Sequence, residues 1–204
     1  MDPSTAHPRL TDRKRVAIVR AAIDEFLAAG FDATSMDRIA ARAGVSKRTV
    51  YNHFPSKEAL FAAILHELWD ASQTGNGPAY RPDEPLRVQL LDLLMRKLSL
   101  LNDEAFLALA RVAIAAGIHS PERARDMVAR IGEREEDLTV WVRTAAADGR
   151  LKTPDPAFAA QQLHGLVKAF AFWPQVTMGQ PPLDEAQQRQ VAESSADLFL
   201  ARYA

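Results

Sequence analysis

The stretch "AGVSKRTVYNHFPSKEALF", Ala43 to Phe61, decides the fold. Lys47, Arg48, Thr49, Tyr51, Asn52 and His53 crowd around one valine, Val50, with no acid among them. Gly44 admits the positive φ of a sharp bend. Ser46 can accept a hydrogen bond from an amide of the following turn, so a helix over Lys47–His53 is expected. Val50 and Phe54 are four apart and share one face, leaving the polar residues to the others.

Upstream, "TSMDRIAARAG" reads as a shorter helix, Met36–Ala43, with Ser35 as N-cap, Asp37 in its first turn and Ile39, Ala40 and Ala43 inward. Two short helices joined by a glycine turn, Gly44–Ser46, make a helix-turn-helix. Val45 can plug the angle, while Val50 and Phe54 pin the second helix to Ile39 and Ala40. An outward face of Lys47, Arg48, Thr49 and Asn52 suits a major groove, where Arg or Lys can bond guanine and Asn can bond adenine. Lys57 and Ser56 begin the next helix, whose free amides attract phosphate.

The rest of the chain also has helical periodicity. A first helix starts near Thr11, with Val16, Val19, Ile23, Phe26 and Leu27 as its stripe and Gly30 as its stop. Ser56 caps a fourth helix bearing Leu60, Phe61, Ile64, Leu65 and Leu68; "TGNGPAYRPDEP" is a loop. Further helices are expected over Pro85–Leu101, over Asp103–Ala116 with Gly117 as stop, from Ser120 and Pro121 towards Gly149, from Asp155 and Pro156 through Trp173, and after Asp184, which with Gln187 has capping-box spacing. The expectation is all-α, about nine helices: a helix-turn-helix domain over residues 1–56 and a larger helical domain over 57–204.

The 204 residues carry a net charge of −1, unevenly distributed. Residues 1–60 hold ten Lys/Arg against seven Asp/Glu, and five Lys/Arg but no acid lie between Asp37 and Glu58. Absent cysteines exclude disulfides and thiolate chemistry. The five histidines lack metal-ligand spacing, and no H-E-x-x-H, G-x-S-x-G, P-loop or dinucleotide fingerprint occurs, so neither an enzyme nor a metal or cofactor is expected. With no secretory signal and no membrane-length apolar run, a soluble cytoplasmic protein is expected.

Residues 34–61, "TSMDRIAARAGVSKRTVYNHFPSKEALF", resemble the DNA-binding signature of the TetR/AcrR family of bacterial transcriptional regulators, a likeness running from Thr11 to about Leu68. The resemblance implies a homodimeric repressor on double-stranded, palindromic operator DNA, released by a small-molecule effector. Backbone-contacting roles would fall on Ser35, Tyr51, His53 and Lys57, groove-facing roles on Lys47, Arg48, Thr49 and Asn52. Position 48 is often small in relatives; Arg48 is thus a guanine reader or a phosphate clamp.

The same resemblance implies that the C-terminal helices carry a dimer interface and an effector pocket. Helical spacing makes Leu163, Leu166, Val167, Phe170, Val191, Leu198 and Phe199 the interface candidates, packed as a four-helix arrangement from two chains; the competing reading is that they are core. Trp69, Met95, Asn102, Phe106, His119 and Trp141 are the pocket candidates, being isolated polar or aromatic residues among apolar helices. A rival reading keeps the DNA module but assigns it to chromosome organisation rather than one promoter.

Overall fold

A computed structural model describes residues 10–72, 79–118, 120–122, 124–125 and 137–204. The expected His119 site lies outside these residues. So does the side chain of Trp69, and so does most of the run expected between Ser120 and the helix that ends before Gly149. Among the described residues there are ten helices and no strand: α1 Leu10–Ala29, α2 Met36–Arg42, α3 Lys47–His53, α4 Lys57–Ser72, α5 Leu86–Leu101, α6 Glu104–Ile118, α7 Asp137–Ala147, α8 Pro156–Ala171, α9 Trp173–Thr177 and α10 Glu185–Tyr203. No described helix is long and apolar enough to cross a membrane.

The caps fall where side-chain chemistry demands. Ser46 accepts from the Thr49 amide at 3.1 Å, Ser56 from Ala59 at 3.1 Å and Asp155 from Phe158 at 3.0 Å. At α10 Asp184 and Gln187 form both halves of a capping box, at 2.8 and 2.9 Å.

The chain divides into two compact units, one holding the described residues up to Glu67 together with those of Val112–Ala124, the other holding the remainder. By compactness the first therefore includes most of α4, which begins at the division expected after position 56.

In the first unit α2 packs on both α1 and α3. Ile18, Val19, Ala22, Phe26, Ile39, Ala40, Val50, Phe54, Leu60 and Ile64 are buried, and Phe26, Phe31 and Phe61 close a triangle of rings 5.1–6.0 Å apart. The stripe expected on α1 is rotated. Ile18, Ala22 and Glu25 face inward, whereas Val16 and Leu27 are exposed. Apolar spacing alone misses this because a small alanine and an ion-paired glutamate occupy core-facing positions.

In the second unit α5 packs on α10 and α8, α8 on α7, and α10 on α8. The core comprises Leu90, Leu94, Leu98 and Leu101 of α5, Trp141 and Val142 of α7, Leu163 and Val167 of α8, and Phe199 and Tyr203 of α10. Ala159, Ala160, Ala192 and Ala196 are completely buried on α8 and α10.

Two helix ends differ from expectation. Gly117 lies inside α6, which continues to Ile118; it lacks the positive φ of a helix-ending glycine. The helix expected through Trp173 breaks at Phe172, with φ −137° and ψ −63°, and restarts as α9. Pro174 forces the break, having no N–H for the Phe170 carbonyl four residues back. That carbonyl instead accepts from Gln175 Nε2 at 3.1 Å, which also donates to the Pro181 carbonyl at 3.3 Å.

Candidate nucleic-acid interface

The turn between α2 and α3 is built from main-chain bonds. Gly44, at φ 65°, donates to the Ala41 carbonyl at 3.2 Å, and Val45 to the Ala40 carbonyl at 3.1 Å. Val50 is completely buried and Phe54 nearly so, so α3 has one inner edge. Lys47, Arg48, Tyr51 and Asn52 are exposed on its remaining faces, while Thr49 and His53 are half-buried at the margins. The structure therefore brings Lys47, Arg48, Thr49, Tyr51, Asn52 and His53 together on one short helix.

Some of these side chains already have partners. The Ser46 and Thr49 hydroxyls lie 2.8 Å apart, completing the cap of α3. Ser35, exposed at the start of α2, accepts from the Arg38 amide at 3.3 Å. Lys47 Nζ lies 2.8 Å from Asp37 Oδ1, and that hydrogen bond, then the charge behind it, raises the lysine above its ordinary pKa.

The other cations of the acid-free window behave differently from what a count of charges suggests. Glu25 of α1 is buried, with one carboxylate oxygen 2.8 Å from Arg38 Nε and the other 2.9 Å from Arg42 Nε. These arginines strap α2 to α1 and hold the helix-turn-helix on its support. Thr34, also buried, shares its one hydroxyl proton between the Gly30 carbonyl at 2.8 Å and the Glu25 carbonyl at 3.1 Å, closing the end of α1. Sequence reading missed Glu25 and Thr34. The available signal was an acid beside Phe26 on the inner stripe of α1, which only a cation brought from elsewhere could neutralise.

Lys57 is engaged by main-chain carbonyls. Its Nζ donates to the carbonyls of Phe31 at 2.7 Å, Thr34 at 3.0 Å and Asp32 at 3.1 Å, and lies 4.5 Å from the Phe31 ring centre. An ammonium has three protons, and here all three are used. Lys57 thus clamps the α1–α2 connection. Of the five cations between Asp37 and Glu58, only Arg48 makes no ion pair or hydrogen bond among the described residues.

The pocket candidates of the second unit are engaged in its framework. Asn102 grips the Leu183 backbone with both ends of its amide, Oδ1 accepting from the Leu183 amide at 2.8 Å. Trp141 is buried, donates to Gln89 Oε1 at 3.2 Å and meets Tyr80 edge-on at 6.1 Å. Gln89, itself buried, further bonds the Arg81 amide and the Arg81 and Glu84 carbonyls at 2.7–2.9 Å, so all its polar capacity has partners. Phe106 is buried with its ring 6.4 Å from Phe172, and Met95 is half-buried. An open depression also follows Glu185, Arg189, Gln190 and Glu193 of α10.

The interface candidates split by exposure. Leu163, Val167 and Phe199 are buried within one chain and are core residues, with no surface left for a second copy. Phe170 and Leu198 are more than half exposed, and Leu166 and Val191 are intermediate. Phe158, Trp173 and Met178 add further exposed apolar surface that helical spacing did not single out.

Comparison with known proteins agrees with this architecture. Residues 18–64 match the family model described as bacterial regulatory proteins of the tetR family, and residues 88–204 match that of the AefR-like transcriptional repressor C-terminal domain. A TetR family transcriptional regulator from Pseudomonas syringae pv. tomato is 56% identical, with a TM-score of 0.86 over 95% of this chain and 98% of that one. The flavonoid-responsive regulator FrrA is 32% identical, with a TM-score of 0.66 over 94% and 97%. The HTH-type transcriptional regulator RutR of Escherichia coli K12 is 30% identical over 82% of this chain and 79% of its own.

Proposed function

The chain belongs to the TetR family of bacterial helix-turn-helix transcriptional regulators, and from that premise we propose that it is a homodimeric repressor released from a palindromic operator by a small molecule. The carrying observation is the outward face of α3. Arg48 and Asn52 stand exposed on a helix whose inner edge is pinned by Val50. In this reading Arg48 bonds guanine and Asn52 adenine, while Ser35, Tyr51 and His53 contact the DNA backbone. Lys57 contributes indirectly, by fixing the loop that positions α2.

One short recognition helix covers few base pairs, so two must act together, spaced about 34–36 Å apart in successive major grooves. Pairing is assigned to α8 and α10, through Phe170 and Leu198 with Leu166 and Val191 beside them. Repression is favoured over activation because the matched C-terminal model is described as a repressor's. A ligand-responsive relative of similar architecture, the flavonoid-responsive FrrA, favours an organic effector. The effector acts by preferring a state in which the recognition helices are off groove spacing, so that DNA and ligand oppose each other.

The test is a gel shift on duplexes selected by the protein from a random pool and on DNA flanking its own gene, repeated with metabolite extracts. The reading expects one or a few tight sites and an extract fraction that releases them. Hundreds of equivalent genomic sites would favour an organising role, and affinity untouched by every fraction would refute effector release.

A further inference from the structure

The geometry points to Asp37 as a specificity determinant that masks Lys47 on DNA of the wrong sequence; the inference rests on the DNA-binding reading above. Asp37 lies in the first turn of α2 and Lys47 is the first residue of α3. Lys47 Nζ touches both carboxylate oxygens, at 2.8 and 3.0 Å, across the turn of the helix-turn-helix. Both side chains are about three-fifths exposed, so the pair lies on the surface the two helices share and not beneath it.

The surrounding charges make this pair matter. Arg38 and Arg42 are committed to the buried Glu25, and Lys57 to three carbonyls. Of the window's five cations, Lys47 and Arg48 are thus the two whose charge can move to DNA without loosening the fold. One of those two is covered by an acid. An acid in the first turn of α2 would favour that helix wherever its side chain pointed; here it reaches a lysine ten residues away.

Non-specific binding is almost wholly phosphate neutralisation, scaled by the number of counterions released. A lysine that must first leave a carboxylate, and leave it facing phosphates, adds little to that sum on any sequence. On the operator, base contacts by Arg48 and Asn52 hold α3 in the groove long enough for Lys47 to exchange partners. Asp37 then lowers affinity for wrong DNA more than for the right site, which is specificity by repulsion.

The experiment titrates wild type, Asp37→Asn, Lys47→Met and the double variant against a mixed-sequence duplex and against the duplex the wild type selects from a random pool, by fluorescence anisotropy over a range of salt. Asp37→Asn should tighten mixed-sequence binding about two- to fivefold. It should steepen the salt slope by about one per chain. The selected duplex should gain less, and the mixed-sequence gain should vanish in the Lys47→Met background. Unchanged or weakened mixed-sequence binding overturns the proposal, and so does an equal gain without Lys47, which would mean bare repulsion and no masking. Asp37→Ser, run beside Asn with thermal melts, separates a charge effect from a loss of α2. A wild type that binds no duplex defeats the function reading itself; an inert Asp37→Asn beside a binding wild type defeats this inference alone.

Discussion

Arg48 and Lys57 show how residue chemistry divides a basic patch into uncommitted and committed cations. Arg48 keeps its guanidinium free among the described residues, so Arg48→Ala should cost about 1–3 kcal/mol at one base position and relax preference there. Competition binding against a panel of single-base variants checks this; equal weakening of every sequence would instead make Arg48 a phosphate clamp. Lys57→Met removes three hydrogen bonds to main-chain carbonyls and should lower stability by about 1–3 kcal/mol, read by denaturant melts. Its DNA salt slope should stay near the wild-type value. A slope flattened by about one with unchanged stability would restore the phosphate role. The inward Val50 and outward Arg48 and Asn52 were legible because local period settles which way a helical residue points. The Lys57 clamp and the Glu25 strap were not. Their partners lie 13 to 26 positions away, and sequence spacing carries no signal for a contact made through space.

At the scale of elements, caps and breaks were the readable parts. Ser35, Ser46, Ser56, Asp155 and Asp184 all cap as their chemistry suggests, because such bonds close within three residues. Glycine and proline were harder. Gly117 continues a helix that its neighbours already hold, whereas Pro174 stops one by withholding a single donor. Gln175 repairs that loss. It is buried, and its Nε2 serves the Phe170 carbonyl in place of the missing amide. Gln175→Leu should therefore cost about 1–3 kcal/mol by leaving that carbonyl unsatisfied. Thermal unfolding would register the loss, and a variant as stable as wild type would make the glutamine a passenger of the break.

For the whole molecule, the all-helical layout followed from periodicity, but the split between buried and exposed apolar residues did not. Leu163, Leu166, Val167 and Phe170 share helical spacing, yet Leu163 and Val167 point into the chain while Phe170 points out. One helix face can be wide enough to serve both, and a hydrophobic pattern does not mark where one use ends. Phe170→Glu, judged by sedimentation and circular dichroism, should give a folded monomer that has lost tight operator binding. Leu163→Glu should unfold the second unit, because an unpaired carboxylate there has neither water nor a cation. A Phe170→Glu protein that still sediments as a dimer would move the interface elsewhere.

Hydroxyl-radical footprinting on the duplex selected by the wild type, with guanine-methylation protection alongside it, tests most directly whether α3 is presented twice to DNA. The account predicts two dyad-related patches of protection about 34–36 Å apart. Each patch should contain a major-groove guanine that loses protection in Arg48→Ala. A single unsymmetric patch, or guanines equally protected with and without Arg48, would contradict it.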